Sequence, residues 1–296
     1  MPKISVIVPN FNHSSFLNKR IESILAQTYQ DFELIILDDC STDNSSLIIE
    51  KYKRHPKVNQ IVYNKVNGGS PFKQWAKGIL LAKGEYIWIA ESDDFAENTF
   101  LEICLKMLEA NNNLGFVYTD SNIITEQKKT GSFKIKKAEK YHSDKWDNAY
   151  QINGIEELKH SLIKTCTINN VSAVLFRKKA IENVIAKTYD YKYAGDWLCY
   201  MLICTKHSIA YIPDALNNYR SHSNNLTKKS DNNYLGMRER IKARNMCMHH
   251  ISDTEASLKR TANILNWKEF RAIFGGFIRG RIKVSDFFNT LILCFS

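Results

Sequence analysis

Glu91, Ser92, Asp93 and Asp94 close a short apolar run that begins at Ile87. Three carboxylates within four residues repel one another unless a cation lies among them, and a hard divalent ion with oxygen ligands is the usual partner. The run before them, residues 85–90, has the composition of a strand covered on both faces. In open α/β sheets ligands gather just beyond the carboxyl ends of such strands. The cluster therefore stands where a metal-bound ligand is expected. Taken by itself it reads equally well as a solvated loop, or as the cap of a helix that starts near Glu97.

A second apolar run, residues 33–37, ends in Asp38 and Asp39. A carboxylate there can accept the imide N–H of a uracil or thymine ring, and Pro9 and Phe11 offer apolar faces against which a base can lie. Asn67-Gly68-Gly69 permits close approach of backbone to a ligand. Lys73 is placed to meet a phosphate, or equally to be a solvated helix residue. Asp93 and Asp94 are candidates for ribose and metal contacts. The usual phosphate loops are missing: the chain has no GxxxxGK[ST], and no GxGxxG follows the first strand, which disfavours a nicotinamide site.

These residues need elements to position them. Residues 4–8, 33–37, 61–63, 85–90 and 116–119 read as strands. Between them the pattern predicts helices: one with Leu17, Ile21, Ile24 and Leu25 on a single face and Ser14 or Ser15 as its cap, one over about 71–82 closed by Gly84, and one near 97–110. The alternation predicts a mostly parallel sheet with helices on both faces. Residues 120–150, rich in Lys, Ser and Gln with little periodicity, read as an insertion or a mobile loop over the rim. Beyond them come a helix near 154–163, a strand near 171–176, a helix over about 178–186, and an aromatic stretch around Asp196. Two short strands at 209–212 and 216–219 follow, then a helical segment from Asn232 onward.

Composition narrows the class without choosing a partner. With 44% hydrophobic and 24% charged residues the chain reads as a soluble globular protein. A net charge of +10 is compatible with nucleic acid, an anionic membrane surface or phosphorylated ligands. Seven scattered cysteines without a CxxC pair point to reduced thiols in a cytosolic setting. The N-terminus does not read as a signal peptide, and no apolar run approaches a membrane span. Residues 267–296 mix Phe, Ile, Leu and Trp with Lys and Arg, a pattern shared by interfacial helices and by helices that pack on their own domain.

The blocks VIVPNFN, LIILDDCSTDNS, NGG, AKGEYIWIAESDD, AGDW and YRSH, in this order over about residues 3–222, resemble the family 2 glycosyltransferases of the GT-A fold. The resemblance implies an α/β protein with a Rossmann-like, mostly parallel sheet flanked by helices and a helical C-terminal extension. It implies a catalytic domain over about 1–225, with a nucleotide-binding half to about 120 and an acceptor half from 121, followed by a helical region over 226–296. It also implies residue roles. Asp39 reads the base, with Asp38 beside it. Asp94 is the metal ligand and Asp93 the ribose contact. Asp196 is the catalytic base, in a Gly-Asp pair where many members carry Glu-Asp. His222 contacts the metal or the diphosphate.

Trp197 and Tyr193, with Trp75, are candidates to stack on sugar faces, although each taken singly is more often a core residue. The expected reaction is inverting transfer from a nucleoside-diphosphate sugar, UDP- or dTDP-linked by preference, to a hydroxyl of a saccharide or lipid-linked acceptor. Mn2+ or Mg2+ serves as cofactor. Surface polysaccharide synthesis is the expected setting, in the cytoplasm with peripheral contact at the inner membrane face through the basic C-terminal region, and without a nucleic-acid partner. Two alternatives stay open: a nucleotidyltransferase, which normally has a glycine-rich basic loop where Pro9 to His13 stand, and a non-catalytic nucleotide-sugar binding protein.

Overall fold

The computed structural model describes residues 1–222, 234–279, 282 and 284–295. β1 (Ile4–Asn10), α1 (Ser14–Leu25), β2 (Phe32–Asp38), α2 (Ser45–Tyr52), β3 (Val58–Tyr63), α3 (Pro71–Leu81) and β4 (Tyr86–Ile89) alternate as the hydrophobic pattern predicts. A two-residue strand β5 (Phe95–Ala96) and α4 (Phe100–Ala110) lead to β6 (Leu114–Thr125), β7 (Lys128–Ser132), α5 (Phe133–Tyr141) and β8 (Tyr150–Ile152). Then come α6 (Gly154–Glu157) with a widened turn at Leu158–Leu162, β9 (Val174–Arg177), α7 (Lys178–Glu182), α8 (Gly195–Cys204) and β10 (Ser208–Arg220). The C-terminal region supplies α9 (Tyr234–Met248), α10 (Ala256–Ile278) and α11 (Val284–Phe295). The expected domain boundary near 225 lies outside the described residues.

The sheet runs β3-β2-β1-β4-β9-β6-β10-β5, with β7 on β6 and β8 on β10. β3, β2, β1 and β4 are mutually parallel, and β6 and β10 are parallel to each other. β9 runs against both neighbours, so the residues leading into it start at the rim where β1, β2 and β4 end. β1 and β2 are buried along their whole length because both faces are covered. Val6 and Val8 face a core built with α1 and α4, whereas Ile7 faces one built with α3 and α8. Ala243, Cys247, Leu258 and Ala262 of α9 and α10 sit in that second core. The C-terminal helices thus share apolar packing with the sheet.

Four expectations are corrected. Residues 120–150 are not a loose loop: β6 continues to Thr125, turns at Glu126-Gln127 and returns as β7, and α5 follows. Both turn residues have positive φ (50° and 65°), the geometry of a tight hairpin turn, but neither is the Gly or Asn that announces one. Lys128, Lys129 and Thr130 are all exposed, which erased the alternation of a strand. The two strands expected at 209–219 are a single strand with a bulge after Ile212. The helix expected over 178–186 stops at Glu182, and α1 starts after His13 with no side-chain cap from Ser14 or Ser15.

Candidate functional site

The rim loops enclose a cavity of about 590 Å³ whose walls include Pro9, Phe11, His13, Asp39, Asn67, Gly69, Trp75, Glu91, Asp93, Asp94, Asn169, Asn170, Lys192, Tyr193 and Asp196. A cavity of this size is typical of small-ligand sites.

At the end of β2 the two aspartates part company. Asp38 accepts hydrogen bonds from Asn10 Nδ2 (2.7 Å) and from the Ser41 backbone N–H (2.9 Å), so it ties β1 to the turn after β2. It does not line the cavity. Asp39 does, and its Oδ1 accepts from Asn64 Nδ2 (2.6 Å), the Gly68 N–H (2.9 Å) and Gln74 Nε2 (2.7 Å). Asn67 donates to the Asp39 carbonyl at 3.1 Å, and Gly69 takes φ +73°, a backbone state that glycine adopts without strain. Lys73 is spent on this loop: its Nζ donates to the Gly68 carbonyl at 3.1 Å, and the residue is not part of the cavity wall.

The acidic cluster after β4 is not a bundle of parallel charges. Glu91 points to α3, where it accepts from Trp75 Nε1 at 2.7 Å; burial and the charge of Asp93 push its carboxyl up to about 8. Asp94 is buried. Its Oδ2 accepts from Asn170 Nδ2 and its Oδ1 from the Arg220 N–H, each at 3.0 Å, and Arg20 Nη2 lies 3.9 Å away. Burial and Asp93 raise its pKa. Asp93 faces the other way, with Oδ2 3.0 Å from His222 Nε2. Burial works against its charge, yet the His222 hydrogen bond and nearby His13 hold it below the ordinary carboxylate range. The three carboxylates diverge, toward Trp75, His222 and Asn170, and the buried Arg20 stands beside Asp94.

One ligand atom each from His13, Asp93 and His222 lies within 4.8 Å of the others. Asp94, the expected ligand, is outside this group; its carboxylate is turned to Asn170 and the Arg220 N–H. His13 is positioned by Ser92 Oγ, 2.8 Å from Nδ1, and burial lowers its pKa. His222 stacks on Phe16, with ring centroids 5.1 Å apart. Two imidazoles and a carboxylate make a donor set that suits a divalent transition ion better than Mg2+.

Asp196 lies in the first turn of α8 and lines the same cavity. Burial pushes its carboxyl up to about 6. Gly195, beside it, leaves no room for a side chain, since a Cβ there would stand 2.6 Å from the Phe72 ring. Trp197 is corrected: it is 3% exposed, donates Nε1–H to the Leu162 carbonyl at 2.7 Å, and belongs to the core and not to the cavity. Tyr193 and Trp75 do line the cavity.

The 5–185 stretch matches the family model described as glycosyl transferase family 2. This chain belongs to that family. Among curated relatives, the glycosyltransferase is 27% identical over 253 residues to an "Uncharacterized glycosyltransferase" of Haemophilus influenzae, covering 83% of this chain and 73% of that protein. It is 36% identical over 120 residues to the chondroitin synthase of Pasteurella multocida, covering 40% of this chain but only 12% of that one. The solved structure of S. aureus TarS 1-349 in complex with UDP aligns with 96% of this chain and 76% of its own, at 19% identity and a TM-score of 0.68, which shows a shared GT-A fold.

Sequence reasoning placed His13 only in a loop and did not single out Arg20, Asn169 or Asn170. A histidine on the same rim as an acidic cluster was the available signal for His13. Arg20, buried on an otherwise apolar helix face, was detectable only as a charge among Leu17, Ile21 and Ile24.

Proposed function

We propose that this glycosyltransferase moves a sugar from a nucleoside diphosphate, with uracil the favoured base, to a hydroxyl of a saccharide or lipid-linked acceptor, with inversion at the anomeric carbon. The observation that carries the reading is the convergence of Asp39, Asp93 and Asp196, from three distant segments, on one cavity. Asp39 is already held by amide donors and offers its remaining lone pairs to the imide of a base lying between Pro9 and Phe11. Asn67 and Gly69 line the way past it.

His13, Asp93 and His222 fit a divalent ion, Mn2+ before Mg2+, with Asp93 replacing Asp94 as the carboxylate ligand and Asp94 buttressing it from behind. A bound cation there would offset the charge that develops on the departing diphosphate. Asp196 takes the proton of the acceptor hydroxyl as that oxygen attacks from the face opposite the leaving group, the geometry that gives inversion in a single displacement. Tyr193 lines the same cavity three residues before Asp196 and is the candidate to meet the acceptor.

The proposed acceptor class draws its support from the other end of the molecule. No helix among the described residues is long and apolar enough to cross a membrane. Ile278, Val284, Phe288 and Ile292 are nonetheless each more than half exposed, on a segment that also carries Lys268, Arg271 and Arg279. This supports peripheral contact with an anionic bilayer and a lipid-linked or surface-polysaccharide acceptor, on the cytoplasmic face. A thermal-shift panel of UDP-, dTDP-, GDP- and CMP-sugars with and without Mn2+ tests the donor site. UDP-sugars with metal should raise the melting temperature most. A panel in which no nucleotide sugar stabilises the protein removes the reading.

A further inference from the structure

We infer that Glu239, on α9 of the C-terminal region, is a positioning residue for Asp196. The inference rests on the reading of Asp196 as the base. Glu239 is 5% exposed, and its carboxylate takes three successive backbone N–H groups: Lys192 on Oε1 at 2.8 Å, Tyr193 and Ala194 on Oε2 at 2.7 and 2.9 Å. Consecutive N–H groups converging on one anion form a nest of fixed positive partial charge, and the start of α8 adds its helix dipole.

Ala194 precedes α8 and has no side chain able to cap it. Glu239, 45 residues later in the chain, accepts instead from the Ala194 backbone N–H, the bond that the N3 glutamate of a capping box normally makes.

The clamped backbone is the cavity wall itself, because Lys192, Tyr193 and Asp196 all line it. Two further anchors hold the same stretch: Ser70 Oγ donates to the Tyr191 carbonyl at 2.7 Å, and Gly195 lies against Phe72. α9 is in turn immobilised. Ala243 and Cys247 are fully buried, Arg244 Nε donates to the Ile163 carbonyl at 3.1 Å, and its guanidinium covers Trp197 at 5.0 Å. The C-terminal region thus reaches Asp196 from both sides, through Glu239 on the preceding peptides and Arg244 on the following residue. It acts as scaffold for the acceptor half of the site. Glu239 also adds a negative charge near Asp196, whose other titratable neighbours are Cys166, Cys199 and Tyr200.

The test uses the full chain with Glu239→Gln and Glu239→Ala. Four readings are taken: hydrogen exchange at the amides of residues 192–194, calorimetric UDP affinity with Mn2+, hydrolysis of UDP-glucose, UDP-galactose and UDP-N-acetylglucosamine, and the pH profile of that hydrolysis. Exchange at 192–194 should accelerate about tenfold or more in Glu239→Ala, with the amides of β1 and β2 unchanged. UDP affinity should stay within about twofold while hydrolysis falls about tenfold or more. Glu239→Gln, which keeps one acceptor oxygen, should lie between, with its acidic limb at lower pH because a charge opposing ionisation of Asp196 is gone. Unchanged exchange at 192–194 in both variants overturns the proposal. So does a parallel loss of UDP affinity and hydrolysis, the mark of general destabilisation. If Asp196→Asn hydrolyses the donors as fast as the unaltered protein, the base assignment falls, and the positioning role with it, whatever the exchange shows.

Discussion

The end of β2 and the start of α8 both present an aspartate to the cavity, but they hold it in different ways. Asp39 is fixed by groups that lie within 35 residues of it, on the turn after β3 and on α3. Its neighbour Asp38 ties the same turn to β1. This half is a closed network of amide donors around two carboxylates, assembled from consecutive βα units. Asp196 accepts from the adjacent Trp197 N–H at 2.7 Å, and its loop is held by Ser70, Phe72 and Glu239 from remote segments. The Asp39 side of the cavity is built from consecutive βα units and the Asp196 side by long-range packing. A ligand meets a finished surface on the first and one that depends on the C-terminal helices on the second.

Substitutions can break this contrast, and the largest effect is expected at Asp196. Asp196→Asn keeps the shape and removes the proton acceptor, so turnover should fall about 10²–10⁴-fold while UDP affinity, measured by calorimetry, stays as it was; a loss of both together would join the two halves that the geometry separates. Next comes the metal group. Asp93→Asn should weaken Mn2+-dependent UDP binding by about 10–100-fold, within the range seen when metal sites lose a supporting group, and Asp94→Asn should cost stability before it costs metal affinity. Equal metal defects in both variants would return the ligand role to Asp94.

On the donor side, Asp38→Ala strands Asn10 and the Ser41 N–H, and hydrogen bonds to a charged group of this kind contribute about 1.5–3 kcal/mol each. Its melting temperature should drop, with catalysis per folded molecule retained. The pH profile sharpens the comparison from another direction. As the proposed base Asp196 acts only when ionised, and burial raises its pKa to about 6, so turnover should fall as pH drops through about 6 and level off above it. The smallest effect belongs to Trp197→Phe, which loses one buried hydrogen bond, about 1 kcal/mol, and leaves sugar transfer unaltered.

The half around Asp39 was largely legible in the amino-acid sequence because β1, β2 and β4 are short, buried, mostly apolar runs and each rim loop follows directly from one of them. Asp38 and Asp39 could be placed at a strand end by pattern alone. Which of them faces the ligand could not, since that depends on partners such as Asn10 and Gln74 drawn from separate elements. The acceptor half was less legible. The β6–β7 hairpin turns through Glu126-Gln127, without the usual turn residues, and its outward side chains are all polar. Trp197 next to an active aspartate invited a sugar-stacking role, yet one residue along a helix is a rotation of about 100°, enough to send it into the core.

Sequence alone determined the alternating α/β order, the apolar runs that bury β1, β2 and β4, and the residue types available at their ends, because these follow from local periodicity and composition. Tertiary structure decided which of those residues act together. It paired Asp93 with His13 and His222 and turned Asp94 toward Asn170 and Arg220. It also delivered Glu239 from the C-terminal helices to the backbone ahead of Asp196. Such choices depend on where each side chain points and on which buried groups need a partner, and both are settled only when distant segments pack against one another.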